Sequence, residues 1–172
     1  MADTNCPAEV TMSATKTSTA VWLAALCLMP AAATAQMPKE GAWEWTHCFG
    51  GPVHTIIATP EFTAGTYVVT GVSRSAGGPV ETMSLECSGT FEYRGGKARS
   101  QGHCAHQDTA GDRIFGADSM GPQGYVFEIL GGTGKYAGIT GSGVVESLPR
   151  VKSIREGTMQ ACRRVKGTYK LP

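Results

Sequence analysis

The stretch TMSLECSGTFEYRGGKARSQGHCAH, Thr82 to His106, constrains the fold more than any other part of the chain. Gly95-Gly96 is a two-residue loop of the kind that supplies positive φ to a tight hairpin turn. With that turn fixed, Arg94 faces Lys97, Glu92 faces Arg99, and Cys87 lands directly opposite Cys104. The cysteine match is not built into the register and so supports it, whereas the like-charged pair beside the turn counts slightly against it. Along the first arm Met83, Leu85, Cys87, Phe91 and Tyr93 share one face, and Ser84, Glu86, Ser88, Thr90 and Glu92 share the other. That is the period-two alternation of a half-buried strand.

Other segments read the same way. In AWEWTHCF, Trp43, Trp45, His47 and Phe49 alternate with Glu44, Thr46 and Cys48. VHTIIAT, TYVVTGVS, DRIFGAD, GYVFEIL, ITGSGVVES and GTMQACRRVKGTYK are further strand candidates between Gly- or Pro-rich turns, giving about eight to ten strands in all. No helical periodicity is sustained beyond Gln36. The expected fold is all-β, a closed antiparallel barrel of about eight strands over residues 36–172. A hydrophobic fraction of 41% suffices for a core, and a net charge of +1 gives no electrostatic footprint for nucleic acid.

Residues 1–35 read as an extension and a cleavable leader. Lys16 supplies a thin positive region, Val21 to Met29 an apolar run, and Ala33 to Ala35 a small-x-small cleavage site before Gln36. The run is too short for a membrane span of about 20 residues. Leu26 before Cys27 is too large for a lipidation site. Residues 1–11 are polar for such a leader, which points to Met12 as the start. The mature chain is therefore expected in the periplasm or secreted, with no stable membrane insertion.

Export makes the remaining cysteines an even set in an oxidising compartment: Cys48, Cys87, Cys104 and Cys162. Their spacing offers no zinc pattern, and no metal is expected. The hairpin register pairs Cys87 with Cys104. Cys48 and Cys162 fall on the polar faces of the first and last strands, which neighbour each other in a closed barrel, so a Cys48–Cys162 bridge would staple the seam.

The block GGTGKYAGITGSG, Gly131 to Gly143, poses the sharpest alternative. Gly132 to Ala137 satisfies a dinucleotide-binding pattern, with Glu156 roughly where a ribose-binding acid sits. That pattern needs a helix after its glycines. Gly138, Gly141 and Gly143 would each cost such a helix about 1 kcal/mol, and Lys135 is followed by Tyr136 rather than the Ser or Thr of a P-loop. The block therefore reads as a turn with a short irregular segment, leading into a strand, and no cofactor is expected. After an aromatic strand in a short exported β-rich chain, it resembles the allene oxide cyclase and dirigent barrel superfamily, over roughly Phe115 to Tyr169. That resemblance implies an eight-stranded barrel, an interior pocket for a small, largely apolar molecule, and often a trimer. Known members include a fatty-acid epoxide cyclase and plant proteins that orient phenoxy radical coupling. Gly41-x-Trp43 gives a weaker resemblance to lipocalin and avidin barrels, which also hold small ligands.

Candidate site residues follow from inward placement. No G-x-S-x-G elbow is present, and the cysteines are expected to be oxidised. His47, His106 and Glu128 are the candidate acid–base residues: the histidines share faces with Trp43, Trp45 and Cys104, while Glu128 interrupts an apolar strand. Alternation favours an outward Glu128; inward, desolvation would raise its pKa. Trp43, Trp45, Tyr67, Phe91, Tyr93, Tyr125 and Phe127 are candidate ligand-lining aromatics, or simple barrel filling. The basic tail Arg150, Lys152, Arg155, Arg163, Arg164, Lys166 and Lys170 against Glu156 reads first as a solvated strand face, and second as a site for an anionic ligand or surface. Three functions fit: a barrel binding a small apolar or aromatic molecule, a cofactor-free isomerase or cyclase, and a structural module that assembles dimers or trimers.

Overall fold

The hairpin forms in the register its sequence dictates. Arg94 pairs with Lys97, Glu92 with Arg99 and Cys87 with Cys104, and Gly95 and Gly96 take φ of 53° and 78°. In the computed structural model, which describes residues 37–149 and 151–172, eight strands close into one antiparallel barrel. They are β1 (Glu40–Ala58), β2 (Phe62–Gly77), β3 (Met83–Arg94), β4 (Lys97–Gln107), β5 (Arg113–Gly121), β6 (Gly124–Gly132), β7 (Thr140–Ser147) and β8 (Thr158–Lys170). Each strand pairs with the next, and β8 returns to β1. The expected leader lies outside the described residues. Among those residues, no helix is long and apolar enough to cross a membrane.

AWEWTHCF and VHTIIAT, read as separate strands, are one. Gly50, Gly51 and Pro52 stay in the ladder with β8, opposite Gln160, Met159 and Thr158. The pairing to β2 skips Gly51 and Pro52, where proline has no N–H to give. The strand runs through instead of ending, in the same register on either side. The glycine block behaves as its sequence requires: a single 3-10 turn, Gly134–Tyr136, then β7 from Thr140. That turn is far too short for a dinucleotide site.

Both expected disulfides are present, Cys48–Cys162 across the β1–β8 seam and Cys87–Cys104 across the hairpin. Cys87 and Cys104 are buried in the interior, while Cys48 sits on the outer face. Glu44, Arg164, Lys166 and Glu146 lace the outer side of the same seam, with Arg164 3.4 Å from Glu44 and 3.3 Å from Glu146.

The two ends of the barrel differ. At the end where β1 starts and β8 finishes, Trp43, Trp45, Met83, Ile114, Tyr136, Ile139 and Tyr169 are fully or almost fully buried. Loops lock this end. Lys135 reaches Glu81 at 2.7 Å and Asp108 at 2.8 Å, joining the β6–β7, β2–β3 and β4–β5 connections, and the Tyr169 hydroxyl donates to the Pro38 carbonyl at 3.0 Å. The other end, rimmed by the β3–β4 hairpin and the β5–β6 turn, is less tightly filled, and Phe49, Val53, Phe91 and Met159 are partly buried there. We call these the closed end and the mouth.

Candidate functional site

Below the mouth lies a cavity of about 30 Å³, enough for a water molecule or the head of a ligand. Its apolar wall is built by Phe49, Val69, Leu85, Phe127, Val145, Met159 and Val165, with the Cys87–Cys104 disulfide. Its polar lining is His47, Tyr67, Asp118, Tyr125 and Arg163. These come from β1, β2, β5, β6 and β8, so only barrel closure brings them together.

Asp118 is the hub. The Tyr125 hydroxyl donates to its Oδ2, and the Arg163 guanidinium lies 3.6 Å from the same oxygen. Its Oδ1 is 4.0 Å from the Cys104 sulfur, which as part of a disulfide has no proton to donate. Burial pushes the Asp118 carboxyl above its usual range, against the pull of Arg163. Arg163 in turn packs on the rings of Phe49 and Tyr125, at 5.0 and 4.5 Å from their centroids. Burial lowers its pKa, and Asp118 and Tyr67 counter that.

Two glycines make room for this cluster. Gly89 and Gly102 face each other across β3 and β4, and Tyr67 pairs with Gly89 while Asp118 pairs with Gly102. A Cβ at either glycine would collide with the Tyr67 hydroxyl, and one at Gly102 would also crowd Asp118. The missing side chains let the phenol lie across the wall toward Asp118. Burial, then the Asp118 charge, raise the Tyr67 pKa, so this hydroxyl stays protonated.

His47 completes the lining. Its Nε2 is buried with no partner. Burial, His106 and Arg163 hold its pKa well below the ordinary value, so the ring is neutral at neutral pH. His106 lies deeper. It is fully buried, shares a 2.9 Å hydrogen bond between Nδ1 and the Ser73 hydroxyl, and stacks on Trp45 at 4.9 Å. Burial drops its pKa to about 3. Ser73 and His106 resemble a nucleophile and base, but both are sealed in packed core and line no space.

Of the acid–base candidates, then, only His47 reaches the cavity. Glu128 is exposed on the outer face, because alternation along β6 turns Tyr125, Phe127 and Ile129 inward instead. Of the candidate aromatics, Tyr67, Tyr125 and Phe127 line the cavity. Trp43 and Trp45 fill the closed end. Phe91 is half-buried at the mouth, beside an open groove of about 730 Å³. Tyr93 follows the inward face but projects past the barrel and is 51% exposed.

Sequence reasoning missed Asp118 and Arg163. The signal was available: period-two alternation puts Ile114, Gly116 and Asp118 on one face of β5, and Met159, Ala161, Arg163 and Val165 on one face of β8. Reading the basic tail as a single solvated face hid Arg163. It turns inward, while Arg164 and Lys166 pair with acids outside. Among the described residues no cluster of three metal-type side chains occurs. No protein-family model matches the chain, and no curated protein is detectably similar to it.

Proposed function

We propose that this chain is an exported barrel of the allene oxide cyclase and dirigent type that binds a small, largely apolar or aromatic molecule through its mouth. The carrying observation is the cavity: apolar walls with a few convergent polar groups, at the less tightly packed end of an otherwise filled barrel. The two disulfides and the leader-like segment support export to the periplasm or outside the cell. The GGTGKYAG block and the eight-strand closure support the family. Apolar side chains on the outer wall, Phe115, Val126, Leu130 and Val144, are compatible with a dimer or trimer.

One observation favours a second reading, a cofactor-free isomerase. A neutral imidazole, His47, and a carboxyl with a raised pKa, Asp118, border one cavity and could respectively accept and donate a proton. Native mass spectrometry of protein recovered from the cell envelope tests both readings. Binding predicts a co-purified small molecule released unchanged, and catalysis predicts one released altered. Protein that is empty as isolated and fails to take up the apolar probe 1-aminoanthracene would refute both.

A further inference from the structure

Arg163 is a half-buried cation with donors to spare. Its side chain is 13% exposed, yet its one ion-pair partner among the described residues is a single Asp118 oxygen at 3.6 Å, beyond hydrogen-bond length. A guanidinium presents a planar fork of N–H groups that matches a carboxylate edge. His47 and Asp118 line the same cavity; His47 Nε2 has no hydrogen-bond partner, and Asp118 Oδ1 lies 4.0 Å from the Cys104 sulfur. Phe49, Val145 and Met159 add apolar surface to the same lining.

Resting on the ligand-binding reading above, we propose that the molecule taken up is an apolar or aromatic monocarboxylic acid, bound head-first at Arg163 and Asp118, with uptake of one proton. The enclosed volume suits a planar carboxylate better than a bulkier tetrahedral anion. Charge sets the proton count. Arg163 and Asp118 cancel each other, so an inserted carboxylate would leave one uncompensated negative charge in a desolvated pocket, which is strongly unfavourable. A solvent proton on Asp118 Oδ1 removes that charge and supplies an O–H that donates to the ligand. No bond to carbon forms or breaks.

The groups around Asp118 leave it as the acceptor. His47 on β1 is kept neutral by burial, His106 and the Arg163 charge. Tyr67 on β2 and Tyr125 on β6 are already protonated, and Tyr125 donates to Oδ2. The β3–β4 disulfide does not titrate. His103 is on the exposed outer face of β4, and Arg163 on β8 is the cation the ligand engages.

Titration calorimetry of the oxidised full chain, with benzoate and with benzyl alcohol, each in two buffers of different ionisation enthalpy, tests the proposal. Benzoate should bind with uptake approaching one proton, weakening about tenfold per pH unit where Asp118 is ionised. Benzyl alcohol should bind at least about tenfold more weakly, without pH dependence. Asp118→Asn should bind benzoate with the proton uptake gone, and Arg163→Gln should lose benzoate selectivity. Should either variant fail to fold, the proton count of the unaltered chain decides. Benzoate binding without proton uptake overturns the proposal, as does a preference for benzyl alcohol, and both leave the ligand-binding reading intact. Binding of neither molecule, nor of 1-aminoanthracene, removes that reading as well.

Discussion

The closed end and the mouth of this barrel are built from similar residue types and treat their polar atoms in opposite ways. At the closed end the buried Asp108 carboxylate is answered by Lys135 at 2.8 Å, and the buried atoms left without any partner are Trp43 Nε1, Trp45 Nε1, His106 Nε2 and the Tyr136 hydroxyl. All belong to neutral groups, and burial drives the two titratable ones further from ionisation: His106 down to about 3 and Tyr136 up to about 12. A neutral orphan costs about 1–3 kcal/mol, a loss that dense packing of large rings offsets. At the mouth the groups are ionic, Asp118 and Arg163, and they surround a space instead of filling it. Apolar residues of similar volume commonly serve stability as well as a buried ion pair or better. The closed end is organised for stability, and the mouth retains charges that stability does not require.

The largest test of that contrast is truncation at each end. Trp45 sits among Trp43, His47, His106 and Phe127, with ring centroids 4.7 to 6.5 Å away. Trp45→Ala should lose about 3–5 kcal/mol. Met159→Ala, at the half-buried mouth, should lose less than about 2 kcal/mol. Urea midpoints with unchanged slopes give both numbers. Equal losses would mean that the mouth is ordinary core.

Acid should separate the ends next. His106 and His47 have depressed pKa values when folded, so the unfolded chain binds protons that the native chain refuses. Stability is fully present above about pH 6.5 and is lost as pH falls below it, by roughly 3 kcal/mol for His106 at pH 4, with His47 adding a loss of the same sign. Asp118 works the other way. Its raised pKa means that the folded carboxyl accepts a proton more readily than the unfolded one, which offsets part of the loss. His106→Gln should flatten the acid slope measured by denaturation between about pH 6.5 and 4, and Asp118→Asn should steepen it.

Much of the fold was legible because the hairpin arithmetic is local. One glycine pair sets the register, the register sets the disulfide, and alternation sets the inward face of every strand. The site was less legible, because it is a non-local product of closure. Nothing near Asp118 in sequence announces Arg163, and the two approach only after β5 and β8 have each joined the same cylinder. Alternation was enough to turn both inward, but a lone inward charge reads as noise until its partner is known. Tyr93 failed for the converse reason: it lies on the inward face, but where the β3–β4 arm has outrun the barrel.

The smallest predicted effect is also the most specific. Gly89 and Gly102 are silent in any reading by hydrophobic pattern, yet they leave the hollow that the Tyr67 phenol occupies. Gly102→Ala should cost about 1–3 kcal/mol through overpacking, because the new methyl meets the Tyr67 hydroxyl and the Asp118 carboxylate together. Removing that hydroxyl separates the causes. If the glycine exists to let Tyr67 reach Asp118, Tyr67→Phe in the Gly102→Ala background should return a measurable part of the loss, giving a coupling of about 0.5 kcal/mol or more in a double-mutant cycle. If the glycine merely relieves strand curvature, the two changes should add. A purely additive cycle would detach Tyr67 from the floor of the mouth, leaving Arg163, Asp118 and His47 as the groups that a ligand head could meet.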